Sequence, residues 1–374
     1  MKLPKVKLVH NPELLSENRI RVGSIQYGVG SEICDDQEGN IWRLLGLMDG
    51  TRSIDTIVRE MQKFKPELDT ESVYQAIDVL IASGFIEDAG ALPPTEFTLA
   101  ELERYSRSAN YFTWIDTQPR ASQYEIQLRL KNARVTILGL GGIGSTVAMS
   151  LVASGVGSLH CVDFDQVEIS NLNRQLLYTE DDIGLPKVDK ALERLQRMNS
   201  HVIVTGQELQ VQSSGDIMAL MEMSDLFINC ADQPTGQIDY WVNDAALSTH
   251  TPWLRSHYAG PMIVVGTYLP FHTPCYECFK HSDAQRHSIE DEGKKQLLLN
   301  TQPINAVVAP TANLAGHLAA LEAIYFLADL KPQTLGRIFH QNLIIYDHSY
   351  YIESPFWTEC PACGLNSPHR HNRV

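Results

Sequence analysis

Gly139, Gly141, Gly142 and Gly144 follow directly on the apolar run Val135 to Leu138, so that an expected strand ends in G-x-G-x-x-G. This spacing suits a nucleotide. The first glycine permits a tight strand-to-helix turn, the second lets a phosphate approach the backbone, and the third lets the next helix pack on the strand. That helix is expected from about Ile143 to Ser154, with its free amides facing the anion. A second apolar strand, Ser158 to Val162, ends in Asp163, where a doubly wound sheet offers an acid to a ribose hydroxyl. Taken alone, the pattern fits a nicotinamide-dependent oxidoreductase. Asp165, Asn171, Asn173, Arg174 and Gln175 then crowd the strand end, and Lys187 follows in GLPKVDK. Any one of these suits a solvated loop. As a set, with cations beyond the need of a dinucleotide, they suit the larger charge of ATP.

Two further groups could do chemistry. Asp232 lies just past the buried run Asp225 to Cys230, at the end of a strand where such sheets bind ligands; it also reads as the cap of the helix begun by QIDYWVND. Cys275-Tyr-Glu-Cys278 and Cys360-Pro-Ala-Cys363 are two knuckles that supply four soft thiolates. Four thiolates close a tetrahedral Zn²⁺ site and leave no open position, so this metal is expected to be structural. Of the other cysteines, Cys161 and Cys230 fall in apolar runs and read as buried hydrophobes, and Cys34 lies far upstream. No cysteine occurs from Phe279 to Ala309.

The strings RYSR (Arg104 to Arg107), GLGGIG, DFDQVEISNLNRQ, GLPKV, NCADQP and the pair CYEC and CPAC together resemble the ThiF/MoeB/E1 family of ATP-dependent carboxylate-adenylating enzymes, from about Arg104 to Gly364. The resemblance implies ATP as substrate and a homodimer in which Arg107 reaches the ATP of the partner subunit. It implies Mg²⁺ on Asp232, catalytic roles for Arg107, Arg174, Lys187 and Asp232, and a crossover loop between the knuckles. Nucleotide contacts would come from Gly139, Gly141, Gly142, Gly144, Asp163, Asp165, Asn171, Arg174, Gln175 and Lys187. The whole-chain layout is similar to the peptide-modifying members of microcin C7 and pantocin A biosynthesis, the pantocin A layout more so. In the pantocin case activated glutamate side chains would lead to cyclisation. In the microcin case a peptide carboxyl terminus would receive AMP. Adenylation of a sulfur-carrier or ubiquitin-like protein is the other reading, and a nucleotide-sensing regulator is a third.

These residues need elements to hold them. The expected fold is α/β: a Rossmann-like, doubly wound adenylation domain at 100–374, a linker at 93–99 marked by Pro93-Pro94, and a small α+β domain at 1–92. In the small domain, Arg19 to Cys34 reads as a β-ribbon. Stripes at Ile41, Leu44, Leu45 and Leu47, at Ile54, Ile57, Val58 and Met61, and at Val73, Ile77, Leu80 and Ile81 read as three helices. The pattern resembles winged-helix, PqqD-like leader-recognition domains, in which an exposed strand edge would bind the leader of a ribosomal precursor peptide. Downstream, helices are expected at Ala100 to Asn110, Lys187 to Met198, Ile217 to Met223 and Ala306 to Leu330. Strands are expected at His201 to Gly206 and Leu343 to Tyr346, and a loop at His281 to Lys295.

With 374 residues and a formal charge of −15, the chain is long enough for two or three domains and is ill suited to nucleic acid, which calls for a basic face. The start MKLPKVKLVHNPELL lacks the apolar segment of a signal peptide, and no run approaches a membrane span. A cytoplasmic setting is expected, in keeping with paired cysteines that suit a metal in a reducing compartment.

Overall fold

The computed structural model describes all residues except 17, 25–27, 292–304 and 372–374. Contacts divide the chain into two compact units, Met1–Arg129 and Leu130–Val374.

In the first unit β1 (Pro4–Val6) pairs with β5 (Ile86–Asp88), and β2 (Glu13–Ser16), β3 (Arg19–Ser24) and β4 (Val29–Cys34) form an antiparallel meander. Helices α1 (Asn40–Leu47), α2 (Ile54–Phe64) and α3 (Thr70–Ala82) lie between β4 and β5. The starts of α2 and α3 are set by sequence: Ser53 accepts from the Thr56 amide and Asp69 from the Ser72 amide, so these two helices have side-chain caps. The apolar stripes of all three meet Ile20 and Val22 of β3 in one core, with Leu44, Ile57, Met61 and Ile77 fully enclosed. Helices α4 (Leu99–Arg104) and α5 (Ser106–Ile115) follow. The sequence places residues 100–129 with the downstream domain; their contacts place them in the first unit. The tie is specific, since Lys7 Nζ donates to the Asp116 carbonyl at 2.8 Å and a Cβ on Gly84 would strike the Thr117 carbonyl oxygen at 1.7 Å.

Helix α6 (Glu125–Asn132) carries the chain across the division. The second unit is one sheet of eight strands: β6 (Arg134–Leu138), β7 (Ser158–Asp163), β8 (Ile203–Glu208), β9 (Leu226–Asn229), β10 (Trp253–Ala259), β11 (Met262–Tyr268), β12 (Arg337–Asn342) and β13 (Ser349–Glu353). Their order is β8-β7-β6-β9-β10-β11-β12-β13. Pairings from β8 to β10 are parallel, and those from β10 to β13 antiparallel. The chain leaves β6 for β7 on one side and later returns to β9 on the other. That reversal is the switch point at which open α/β sheets bind ligands.

Helices α7 (Gly142–Ala153), α8 (Lys187–Met198) and α12 (Ala309–Leu327) cover one face; α9 (Ser214–Met221), α10 (Ile238–Thr249) and α11 (Tyr276–Asp291) cover the other. Phe227, Trp253 and Tyr268 form the centre of the second face, the last two stacked at 4.4 Å. A short helix, α13 (Pro368–His371), follows the second knuckle. Among the described residues no helix is long and apolar enough to cross a membrane.

Two expectations are corrected here. The loop expected at His281 to Lys295 is helical through Asp291, and residues 292–295 lie outside the described residues. Phe279, 3% exposed, anchors the start of that helix in the core; the Gln285–His281 hydrogen bond and the Asp283–Arg286 ion pair link neighbouring turns of its polar part. Leu343 to Tyr346 is not a strand but the turn between β12 and β13. Asn342 Oδ1 accepts from the Ile344 and Ile345 amides and folds the apolar run into solvent, with Tyr346 79% exposed.

Candidate active site

The glycine loop joins β6 to α7 at the switch point. Gly139 has φ of +90°, and its amide donates to the Val162 carbonyl at 2.8 Å. A side chain would not fit: a Cβ there would sit 2.8 Å from the Ala231 nitrogen, and one on Gly144 only 1.8 Å from the Gly139 oxygen. Gly141 differs. Its nearest neighbour would be Gln175 Nε2 at 3.7 Å, so the space above it is kept for something other than protein packing. Gly141 also occupies the N-cap of α7 and offers no side-chain cap. The amides of Gly142, Ile143 and Gly144 have no hydrogen-bond partner among the described residues. Such a helix start is an anion site.

The charged set gathers beside it. Asp163 is buried and holds the loop, accepting from the Leu140 amide at 2.6 Å and the Asp165 amide at 2.8 Å. Burial pushes its pKa up and Lys187 draws it back. Lys187, 4% exposed at the start of α8, donates to Asp165 Oδ2 at 2.7 Å. Arg174 donates through Nη1 to the Ser170 carbonyl at 2.8 Å and to Asn173 Oδ1 at 3.0 Å. Asn171 is buried and Gln175 is 2% exposed. Two buried atoms here, Arg174 Nε and Gln175 Oε1, lack a partner among the described residues. Unpaired buried polar atoms are costly, and their presence at a capless helix start fits a site shaped for a polar ligand.

Asp232 is exposed, and its carboxylate makes no hydrogen bond or ion pair among the described residues. The capping alternative fails, because α10 begins only at Ile238 with Gln237 at the N-cap. Arg107 lies on α5 in the first unit, exposed and with no partner among the described residues.

The sequence reading missed Asn313, Asp239, Arg255 and His257. Asn313 of α12 accepts from Thr146 Oγ1 at 2.5 Å and donates to the Arg174 carbonyl at 3.1 Å, which pins the cation's backbone to α7. On the opposite face Asp239 Oδ1 accepts from Asn229 Nδ2 at 2.9 Å and Arg255 Nε at 2.7 Å, and Arg255 Nη1 donates to His257 Nδ1 at 2.8 Å. Burial and the Arg255 charge drive the His257 pKa well down, so the ring is neutral. Arg255 and His257 interrupt the apolar alternation of β10, which hid that strand, and Asp239, the partner of Arg255, lies on a different element, α10.

The four knuckle cysteines are buried, and their sulfurs all lie within 4.8 Å of one another. The Cys275–Cys278, Cys275–Cys360 and Cys278–Cys363 separations are 3.8, 3.7 and 3.5 Å. A tetrahedron with metal–sulfur bonds of about 2.3 Å has edges of about 3.8 Å, so the donor set fits Zn²⁺. Backbone ties hold it: Ser354 Oγ donates to the Cys278 carbonyl and Arg370 Nε to that of Cys363. Cys161 is fully buried and Cys230 half-buried, and burial pushes both thiols up to about 12.

The ThiF family model matches residues 107–362. The chain belongs to the ThiF family. It is 34% identical over 246 residues to the sulfur carrier protein ThiS adenylyltransferase of Bacillus subtilis, covering 64% of this chain and 67% of that one. It is 32% identical over 231 residues to the molybdopterin-synthase adenylyltransferase of Escherichia coli, covering 61% and 84%. It spans only about half of the longer MOCS3 adenylyltransferase and sulfurtransferase proteins, 45% in Culex quinquefasciatus. In fold, the chain is similar to E. coli MccB (TM-score 0.77, 24% identity, 98% of each chain) and to PaaA (TM-score 0.68, 24% identity, 92% of this chain and 98% of that one). This ThiF chain is thus an adenylyltransferase in family, with ATP-dependent adenylation as the activity the family carries.

Proposed function

We propose that this adenylyltransferase activates a carboxylate on a ribosomally made precursor peptide. The observation that carries the reading is the capless start of α7 with Arg174 and Lys187 gathered beside it, joined in one chain to a ribbon with three helices. The likeness to MccB, crystallised with ATP and with MccA, and to PaaA supports it at the level of fold.

In this reading the α7 amides and Gly141 receive the phosphates and Asp163 receives the ribose. Arg174, Lys187 and, from a second copy of the chain, Arg107 take up charge as a carboxylate oxygen attacks the α-phosphorus and pyrophosphate leaves with the bond electrons. Asp232 would hold Mg²⁺, which would neutralise phosphate oxygens. The cysteine cluster would hold Zn²⁺ for structure alone. An exposed strand edge of the first unit would bind the peptide's leader. The high pKa values of Cys161 and Cys230 argue against a thioester on either, and in this reading the adenylate is consumed by a nucleophile of the peptide itself. Glutamate side-chain activation followed by ring closure is the favoured outcome. AMP retained on a carboxyl terminus is the alternative.

A second reading has its own support. The named relatives are adenylyltransferases of a sulfur carrier protein and of molybdopterin synthase, so a carrier protein is the alternative carboxylate substrate. Mass spectrometry of a short peptide encoded beside the gene, incubated with enzyme, ATP and Mg²⁺, separates them. Loss of water or gain of AMP on the peptide is expected. An unchanged peptide with a carrier-protein adenylate would refute the peptide reading.

A further inference from the structure

A cavity of about 420 Å³ lies within the first unit, far in sequence from the glycine loop. Its walls come from β1, β5, α5 and the segment 120–124, and two features of it are unusual.

The first is an unpaired strand edge. Lys7 N donates to the Phe85 carbonyl and Ala89 N to the Leu3 carbonyl, so residues 85, 87 and 89 turn their backbone groups toward β1. Ile86 and Asp88 therefore turn theirs away, onto the cavity they line. The Ile86 amide and carbonyl and the Asp88 amide have no hydrogen-bond partner among the described residues, although Ile86 is only 2% exposed. The opposite edge of β1 is filled, because Val6 N donates to the Met48 carbonyl and Gly50 N to the Pro4 carbonyl.

The second is an unbalanced cation. Lys7 is 6% exposed and spends one donor on the Asp116 carbonyl at 2.8 Å. Among the described residues no carboxylate oxygen lies within ion-pair distance of its ammonium. The nearby acids are engaged elsewhere. Asp116 Oδ1 accepts from the Gln118 amide and Oδ2 from Arg120 Nε, while Glu87 faces Lys5. Burial lowers the Lys7 pKa, as expected for an ammonium short of a counter-ion. A buried charge without an opposite charge is expensive, and here it borders open space.

We propose that this cavity binds an extended, acidic peptide segment: its backbone pairs with Ile86 and Asp88, and its carboxylate docks on Lys7. Strand addition supplies affinity and the ammonium selects the acid. A carboxylate suits the site better than a phosphate, because Glu87 and Asp88 also line it and would repel a second negative charge. This site is independent of which carboxylate the enzyme adenylates, and it lies on β5 and not on the β2–β3–β4 ribbon.

The test uses the full chain without ATP and the peptide Ac-Val-Thr-Glu-Val-Thr-NH2, with its Glu→Gln counterpart. Hydrogen exchange read by mass spectrometry is expected to slow at 86–89 with the acidic peptide and not at 29–34. The Gln peptide should bind about tenfold or more weakly, the usual effect of losing a charge-assisted hydrogen bond. Lys7→Met should erase the preference for Glu while leaving the melting temperature unchanged or higher, since it removes a poorly balanced charge. Equal protection by both peptides, protection confined to 29–34, or a Glu preference that survives Lys7→Met would each overturn the proposal. So would protection by free succinate equal to that by the peptide, which would make the occupant a small dicarboxylate. Failure of peptide adenylation would leave all of these readings untouched.

Discussion

The glycine loop and the cysteine cluster are built on opposite principles. At the cluster everything depends on atoms that are present: four sulfurs, brought within 4.8 Å from segments far apart in the chain. At the loop much depends on atoms that are missing, because a Cβ on Gly144 would overlap a carbonyl oxygen at 1.8 Å and only hydrogen leaves room for the turn. Side-chain chemistry makes the first site and backbone shape makes the second. Charge enters the second only afterwards, through Lys187 and Arg174.

The contrast can be tested in descending order of effect. Cys360→Ser should strip most of the metal, expected at one Zn²⁺ per chain, and cost several kcal/mol, or about 10 °C or more in melting temperature, since structural zinc contributes directly to folding. Atomic absorption and a thermal scan read both; full zinc occupancy in the variant would show that the cluster is not the site. Lys187→Ala should slow pyrophosphate exchange by about 10²–10³-fold, the scale of one lost electrostatic contact to a transition state. Its melting point should move far less, and an unchanged exchange rate would remove Lys187 from the chemistry. Gly144→Ala should cost about 1–3 kcal/mol of stability or more through overpacking, and should weaken ATP binding in calorimetry. Gly141→Ala sharpens the comparison most. With its nearest neighbour at 3.7 Å it should leave stability within about 0.5 kcal/mol, yet lower ATP affinity because the Cβ would occupy the phosphate's place. Equal ATP binding by this variant and the parent would mean that no phosphate approaches Gly141.

What could be read from the sequence follows the same divide. Motifs with short spacing were legible: the glycine loop with Asp163, the two knuckles and the three amphipathic helices of the first unit all lie where their residues indicate. Each depends on neighbours in sequence. Features set by long-range contact were not legible. Nothing local says that residues 100–129 pack with the first unit, a fact that rests on contacts such as Lys7 to Asp116. Leu343 to Tyr346 has the composition of a buried strand, and only Asn342 turning its side chain back onto the Ile344 and Ile345 amides makes it a hairpin tip. Asp239 and Arg255 were missed because each looks incidental in its own element; their meaning comes from the 2.7 Å contact between them.

The cysteine cluster also carries a schedule. Cys275 and Cys360 are separated by 85 residues. At synthesis rates of about 5–20 residues per second, the first knuckle leaves the ribosome roughly 4–17 s before the second. Through that interval the nascent chain holds half a metal site, two thiols that can hold an ion only loosely. Strands β6 to β11, and α12 after them, have by then all been made. An ion bound there would therefore be captured last, by a sheet already able to form, and would work as a final latch on the hairpin β12–β13 rather than as the nucleus of the fold.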